Sequence, residues 1–237
     1  MIKVNQLDAG YGKIQVLYDV DLVADPQKIT VIVGPNGSGK STLLKSIMGS
    51  TTIYSGTVTY KGRNITAHPK HQIAKMGIAY LPQVESVFTK LTAKENLIMA
   101  GHALQKEEFE DRQQEVIGLF PFLKERLKVK ATTLSGGERQ MLAMAMALLR
   151  KPEVVMLDEP ITHLDPKITS QVVDKILELR DGLNLTVLLI EQNVKTALEI
   201  SDKAYLLASG RTMYEGPSRE LLENPELGKM YLGIESR

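Results

Sequence analysis

The most informative stretch of this 237-residue chain is Gly34-Pro35-Asn36-Gly37-Ser38-Gly39-Lys40-Ser41-Thr42. It fits the pattern G-x-x-x-x-G-K-[ST], follows the apolar run Ile29–Val33 and precedes a helical pattern of apolar residues. Glycines let such a loop turn its backbone N–H groups inward around phosphate oxygens, and the helix N-terminus that follows favours an anion. We therefore expect Lys40 to approach the β- and γ-phosphates of a nucleotide and the Ser41 hydroxyl to ligate Mg²⁺.

The residues around this loop predict an α/β fold with a mostly parallel sheet. Short apolar runs rich in Val, Ile and Leu alternate with helical patterns, which is typical of sheets buried on both faces. The clearest runs are Ile29–Val33, 154–157 and Thr186–Ile190. Residues 2–7 and 57–60 alternate more loosely, and Lys61-Gly62 is typical of a turn, so we also expect a small antiparallel sheet.

A second region, at about residues 84–151, favours helices. Its charged run 106–115 contains Phe109, and Val116, Ile117 and Phe120 continue an apolar stripe at helical spacing, which indicates a helix with one solvated face. We predict a helical lobe over these residues, inserted in an α/β core formed by about 1–83 and 152–237.

Composition excludes several function classes. The chain has 29 Lys and Arg against 28 Asp and Glu, and this balance argues against nucleic-acid binding by bulk charge. Because it has no cysteine, disulfides, zinc fingers, Fe–S clusters and thiol catalysis are excluded. The longest purely apolar run, residues 141–149, is too short to span a bilayer as a helix, and we expect no signal peptide.

A pair of acids, Asp158 and Glu159, directly follows the apolar run 154–157. The carboxyl ends of parallel strands line the ligand crevice of an α/β sheet, so these acids should lie beside the phosphate loop. Adjacent residues project differently. We expect Asp158 to hold Mg²⁺, directly or through water, and Glu159 to face the γ-phosphate and polarise the attacking water. Alone, such a pair would more often mark a strand end that meets solvent.

A second candidate anion site is Leu134-Ser135-Gly136-Gly137-Glu138-Arg139-Gln140, which precedes a helical pattern from Met141 to Lys151. A hydroxyl and two glycines at a helix N-terminus suit an anion, although a plain helix cap has the same residues. One ATP needs one phosphate cradle. A second cradle would therefore serve another nucleotide or another subunit.

In combination these motifs resemble the ATP-binding-cassette (ABC) ATPases almost from end to end. LSGGERQ, whose serine lies 23 residues before Asp158, is similar to the signature of that family. The resemblance implies an ABC-type P-loop NTPase fold and a head-to-tail dimer that encloses two ATP molecules. Ser135, Gly136 and Gly137 would then bind the γ-phosphate of ATP held by the partner chain.

Three further residues match family elements. Tyr11 resembles the aromatic residue that stacks on adenine, which would contribute about 1–3 kcal/mol by analogy with nucleic-acid bases. Gln83 matches the glutamine that reaches the metal and the attacking water, in a loop that senses the membrane partner. Asp165 matches the aspartate that communicates between the two sites. Taken singly, they would be a half-buried strand tyrosine, a surface glutamine and a turn aspartate.

Two positions depart from the family pattern. Gln192 stands where the family usually has a histidine that contacts the γ-phosphate, and His163 stands where it usually has glycine. A glutamine can donate a hydrogen bond to phosphate but carries neither a proton nor a positive charge for catalysis near neutral pH. We predict that a site with Gln192 hydrolyses ATP more slowly than one with histidine.

The triplet Glu191-Gln192-Asn193 and the segment Met230-Tyr231-Leu232-Gly233 resemble one branch of the family. That branch is the ATPase subunits of importers for branched-chain or other hydrophobic amino acids. The implied partners are a second ABC ATPase subunit, in a heterodimer, transmembrane permease subunits and, indirectly, a substrate-binding protein. The expected location is the cytoplasmic face of the cell membrane, with the isolated chain soluble. Alternatives are a urea or amide importer, a lipopolysaccharide exporter and a soluble ABC ATPase.

Overall fold

A computed structural model describes residues 1–84 and 86–223. The strands are β1 (Ile2–Tyr11), β2 (Ile14–Ala24), β3 (Ile29–Val33), β4 (Thr52–Tyr60), β5 (Arg63–Asn64), β6 (Ile78–Leu81), β7 (Val154–Asp158), β8 (Thr186–Ile190), β9 (Lys203–Ala208) and β10 (Arg211–Pro217). The helices are α1 (Lys40–Ile47), α2 (Lys70–Lys75), α3 (Ala93–Ala100), α4 (Lys106–Leu119), α5 (Leu123–Arg126), α6 (Gly136–Leu148), α7 (Pro166–Leu183), α8 (Val194–Ile200) and α9 (Ser218–Leu222). A 3₁₀ turn at Ala131–Thr133 precedes α6.

The larger sheet has the strand order β10-β9-β3-β8-β7-β6. All its neighbouring strands run parallel except β10, which pairs antiparallel with β9 at one edge. Every residue of β3, β7 and β8 is buried, which confirms the three apolar runs as interior strands. Because the strands are parallel, β3, β6, β7 and β8 all end at one edge of the sheet.

The smaller sheet is antiparallel, with the order β2-β1-β4-β5, and the predicted turn at Lys61-Gly62 joins its last two strands. The sequence analysis found β1 and β4 only in part and missed β2. Register shifts interrupt the pairing of β1 with β2 at Leu7 and Ala9, and Asp19 has a left-handed backbone with φ of 54°. Such bulges break the alternation of buried and exposed residues on which strand prediction depends.

Two apolar layers cover the two faces of the larger sheet. Successive residues of a strand point to opposite faces, so Val31 and Val33 pack with α3, α6 and α7, whereas Ile32 packs with α1 and the smaller sheet. Burial on both faces fixes the positions of the strand ends and therefore of the loops that follow them.

The helix-favouring region contains α3 to α6, and the charged run lies on α4, which buries Val116 while Phe120 at its end is 1% exposed. Helix α6 begins five residues earlier than the pattern from Met141 indicated, because the side chains of Ser135 and Glu138 form a capping box. The division into lobe and core at residues 84–151 stays a prediction. Within the described residues, every helix is too short or too polar to cross a membrane.

Candidate active site

The predicted phosphate loop lies between β3 and α1, at the edge where the parallel strands end. Gly34 has φ of 146°, and a Cβ added there would lie 2.0 Å from the carbonyl oxygen of Leu207, so only glycine fits. Gly39 precedes α1 with φ of 101°, and no side chain of residues 1–84 or 86–223 caps this helix. The first-turn amides of α1 are therefore available to an anion.

Lys40 lies inside the curve of this loop. Its ammonium donates hydrogen bonds to the carbonyl oxygens of Gly34 at 2.8 Å and Pro35 at 2.9 Å. Burial lowers the pKa of Lys40, and the nearby carboxylates of Glu159 and Asp158 act in the opposite direction. The ammonium thus lies inside the loop that the sequence predicts to bind phosphate.

Asp158, at the end of β7, accepts hydrogen bonds from residues next to the phosphate loop and on the adjacent strand β6. Ser41 Oγ donates to Asp158 Oδ1 at 3.0 Å, and the Tyr80 hydroxyl donates to Asp158 Oδ2 at 2.9 Å. Burial, and then the charge of Asp158, raise the pKa of Tyr80, so its hydroxyl stays protonated and donates. Sequence reasoning missed Tyr80, which lies on β6 beside β7. A tyrosine near the end of an edge strand was the only available signal.

The donor set around Asp158 suits a hard divalent cation. Neighbouring ligands of an octahedral Mg²⁺ lie about 2.9 Å apart, close to the 3.0 Å between Ser41 Oγ and Asp158 Oδ1. A hydroxyl and a carboxylate are oxygen ligands that Mg²⁺ accepts alongside phosphate oxygens. The third predicted ligand, Gln83, here donates its amide to Glu159.

Glu159 brings two other predicted residues together. Gln83 Nε2 and Gln192 Nε2 both donate to Glu159 Oε2, at 2.5 Å and 2.6 Å. Glu159 itself has a left-handed backbone, with φ of 55°. Its side chain lines the cleft beside the phosphate loop.

These side chains line an open cleft of about 440 Å³, a volume in the range typical of ligand sites. The cleft lining comprises Asn36, Gly37, Gly39, Lys40, Ser41, Thr42, Gln83, Glu159, Gln192 and Val16. Val16, on β2, was not predicted because β2 itself was missed. Tyr11 lies at the end of β1, is 43% exposed, and its hydroxyl is 3.5 Å from Thr42 Oγ1.

The serine–glycine–glycine element lies apart from this cleft. Ser135 accepts a hydrogen bond from the Glu138 amide, and Glu138 in turn accepts one from Arg126 Nε at 2.9 Å. Ser135 and Gly137 line a different cavity, next to Ile168 at the start of α7. Within one chain, the two candidate phosphate cradles are therefore separate.

The loop between β7 and α7 holds the remaining predicted residues. Asp165 caps α7: its side chain accepts a hydrogen bond from the Ile168 amide at 3.1 Å, and its carbonyl accepts one from the Thr169 amide at 2.8 Å. His163 has φ of 65°, in the left-handed region. Glycine adopts that conformation without the strain that a side chain adds, which explains why glycine suits this position.

Sequence reasoning also missed Glu191, quoted above only within its triplet. It follows β8 as Asp158 ends β7, is 1% exposed, and accepts a hydrogen bond from the Ile161 amide at 2.8 Å. Burial raises the pKa of Glu191 to about 7. An acid directly after a buried strand was the signal that could have found it.

A strand, a glycine-rich loop and a helix N-terminus, with acids at the end of another parallel strand of the same sheet, define a P-loop nucleotide-binding protein. A profile described as ABC transporter matches residues 17–162, which is more than half of the chain. The chain belongs to the ABC transporter family, as an ATPase with the ATP-binding-cassette fold.

Relatives and solved structures agree with this assignment. The chain is 53% identical over 234 residues to a probable branched-chain amino acid transport ATP-binding protein LivF of Archaeoglobus fulgidus, covering 99% of each chain. It is 40% identical to the high-affinity branched-chain amino acid transport ATP-binding protein BraG of Pseudomonas aeruginosa, covering 98% of this chain and 100% of the relative. A nucleotide-free ATP-binding cassette shares the fold, with TM-score 0.88 and 24% identity over 100% of this chain and 99% of the other.

Proposed function

We propose that this chain binds and hydrolyses ATP to power an importer of branched-chain or other hydrophobic amino acids. The observation that carries the proposal is the cluster of Glu159, Gln83 and Gln192 beside the phosphate loop. The substrate class rests on two near full-length relatives with that name, at 53% and 40% identity. A lipopolysaccharide export ATPase of Acidithiobacillus ferridurans is 31% identical, so that alternative has weaker support.

ATP binding uses groups that the fold has already oriented. Adenine stacks on the exposed face of Tyr11, and the phosphates enter the loop, where backbone amides of residues 34–42 donate to their oxygens. Lys40 exchanges its bonds to two loop carbonyls for bonds to phosphate oxygens. This exchange costs little, because the ammonium already lies within the loop.

Mg²⁺, when bound, neutralises charge on the phosphate oxygens and helps orient them. Ser41 and Asp158 would hold the ion, and Gln83 would reach it from the adjoining loop. Tyr80 keeps Asp158 in place by donating to Oδ2, whereas Ser41 donates to Oδ1.

Hydrolysis depends on Glu159, whose carboxylate orients and polarises the attacking water for in-line displacement. Gln83 and Gln192 fix the position of this carboxylate from two sides. Lys40 stabilises the charge that develops on the transferred phosphoryl group. Gln192 also donates to the γ-phosphate.

A second ATPase subunit completes each site in a head-to-tail heterodimer. Ser135, Gly136 and Gly137 of one subunit bind the γ-phosphate held by the other, and Asp165 communicates between the sites. The separation of the two cradles within one chain supports this arrangement.

Transmembrane permease subunits are the second class of partner, with a substrate-binding protein acting through them. The loop after Gln83 supports a membrane-side contact, because Val84 and Phe88 are 69% and 50% exposed. The chain works at the cytoplasmic face of the membrane in this proposal. ATP-driven closure of the two cassettes pulls on the permease through this loop, and hydrolysis reopens them.

Two substitutions test the ATPase assignment. Lys40→Ala should weaken ATP binding by about tenfold or more, because a hydrogen bond to a charged group contributes about 1.5–3 kcal/mol. Glu159→Gln should leave binding intact, lower turnover by about 10²–10⁴-fold and trap a closed dimer. Wild-type turnover in Glu159→Gln would refute the role of Glu159.

One control variant for Lys40→Ala lies on α1, and one for Glu159→Gln lies next to β7. Lys45→Ala changes a lysine in the last turn of α1, and Glu153→Gln changes an exposed acid just before β7, at the opposite end from Glu159. Both should bind and hydrolyse ATP as the wild type does. Uptake of labelled leucine and of urea by the assembled complex then distinguishes the two importer classes.

A further inference from the structure

Glu191 is a buried acid for which the proposed hydrolysis mechanism has no role. It immediately follows β8, the strand that pairs with β7 and that brings Ile190 opposite Asp158. Its side chain does not line the cleft; it points into the protein, with 1% of the residue exposed. A buried carboxylate is costly unless donors surround it, so its contacts indicate why it is there.

The contacts of Glu191 are all with donors on two loops of the site. Oε1 accepts from the Ile161 amide at 2.8 Å, and Oε2 accepts from the Thr162 hydroxyl at 3.4 Å and from its neighbour, the Gln192 amide, at 3.3 Å. Within the described residues, one carboxylate therefore joins the loop that carries Glu159 to the loop that carries Gln192.

The contacts of Glu191 help to hold the strained backbone of Glu159 in place. Glu159 has φ of 55°, and a left-handed non-glycine residue costs about 1–3 kcal/mol unless its surroundings hold it in place. The Glu159 amide donates to the Ile190 carbonyl at 2.8 Å, and two residues later the Ile161 amide donates to Glu191. The end of β8 thus holds the strained segment on both sides.

We infer that Glu191 is a positioning residue for hydrolysis, whose carboxylate keeps Glu159 and Gln192 directed at the same point of the cleft. The inference rests on the proposed ATPase function and adds a residue to its site. Glu191 is buried and does not line the cleft, so its removal should lower the rate of the chemical step without weakening ATP binding.

We expect this positioning to need the two acceptor oxygens of the Glu191 carboxylate, which an amide of the same shape does not supply. Glutamine has the same size, but its amide can accept with one atom only and would direct N–H groups at the Gln192 amide. The variant Glu191→Gln therefore keeps the packing and disturbs the hydrogen bonds. The matched control is Asp202→Asn, in which a carboxylate that accepts from the Ile29 amide at 2.9 Å lies at the opposite end of β3 from the phosphate loop.

The experiment measures kcat and KM for ATP in the complete transporter complex, together with binding of a fluorescent ATP analogue, all at pH of about 8, where Glu191 is ionised. Glu191→Gln should lower kcat by about tenfold or more, because small misplacements of catalytic groups have effects of this size, and should leave KM and binding within about twofold. Asp202→Asn should leave all three values within about twofold of the wild type. Unchanged kcat in Glu191→Gln, or a parallel loss of kcat and binding, would overturn the inference.

A second variant covers the case in which Glu191→Gln does not fold. Thr162→Val removes one donor from the same carboxylate and leaves Glu191 in place, so kcat should fall by about two- to fivefold at constant KM. A wild-type kcat for Thr162→Val would then overturn the inference. A wild-type complex that does not hydrolyse ATP would instead overturn the proposed function.

Discussion

Burial of Glu191 makes the stability of this protein depend on pH in a defined direction. Burial, reinforced by the charge of Glu159, raises the pKa of Glu191 from 4.5 to about 7, against the effect of its hydrogen-bond donors. Between these values the folded chain holds a proton that the unfolded chain has lost. The contribution of Glu191 to stability is therefore fully present below pH of about 4.5 and is lost as pH rises toward about 7.

The size of the effect follows from the two pKa values. The pKa of Glu191 is 4.5 in the unfolded chain and about 7 in the folded chain. With these two pKa values, raising the pH from about 5 to about 8 lowers the free energy of unfolding by about 2.5 kcal/mol. For a domain of this size, 1 kcal/mol moves Tm by about 2–4 °C, so the expected change is about 5–10 °C. Glu191→Gln removes the ionisation and with it this pH dependence.

Thermal unfolding of the nucleotide-free wild type and of Glu191→Gln, followed by circular dichroism across this pH range, tests the prediction. The difference between their Tm values cancels the other titrating groups. As pH rises from about 5 to about 8, the Tm of the wild type should fall by about 5–10 °C relative to the Tm of Glu191→Gln. A difference that stays constant with pH would refute the assignment of a raised pKa to Glu191, and Asp202→Asn provides the parallel control.

Three further predictions concern the cleft. Gln192→His should raise turnover of the assembled complex, because an imidazole can carry charge beside the γ-phosphate; an unchanged rate would count against the prediction that Gln192 slows hydrolysis. Gly34→Ala should abolish nucleotide binding, since its Cβ would meet the Leu207 carbonyl at 2.0 Å, and wild-type affinity in a fluorescence titration would contradict this. Tyr80→Phe should raise the Mg²⁺ concentration for half-maximal ATPase by about fivefold or more, because Asp158 loses a charged hydrogen bond; the opposite result is an unchanged Mg²⁺ requirement.

The site was predictable where a short segment carries its own geometric requirement. Gly34 must be glycine because of its backbone angle and close contact, and the acids after β7 had to lie at the ligand edge once the strand was recognised as parallel. Tyr80 and Glu191 escaped prediction because a single tyrosine or glutamate near a strand end is common. Tyr80 finds its partner on β7, and Glu191 finds Ile161 and Thr162 in the loop that follows β7, so only the folded chain brings these partners together.

The segment Met230-Tyr231-Leu232-Gly233, which helped to suggest the branch of the family, lies outside the described residues. The branch is supported instead by identity to full-length relatives. The left-handed φ of 65° at His163 explains why glycine suits this position, and nothing in the described residues explains why histidine stands there.

The sequence alone identified the glycine-rich loop between β3 and α1, the buried strands and the acids Asp158 and Glu159 at the end of β7 and just after it, because hydrophobic period and glycine geometry are local properties. The tertiary structure decided which distant side chains meet. Ser41 reaches Asp158 across 117 residues and Gln83 reaches Glu159 across 76, because parallel pairing brings the carboxyl ends of β6 and β7 beside the loop after β3. It also decided that Glu191 is buried between two loops of the site. Burial depends on packing from elements far apart in the chain, which no local pattern records.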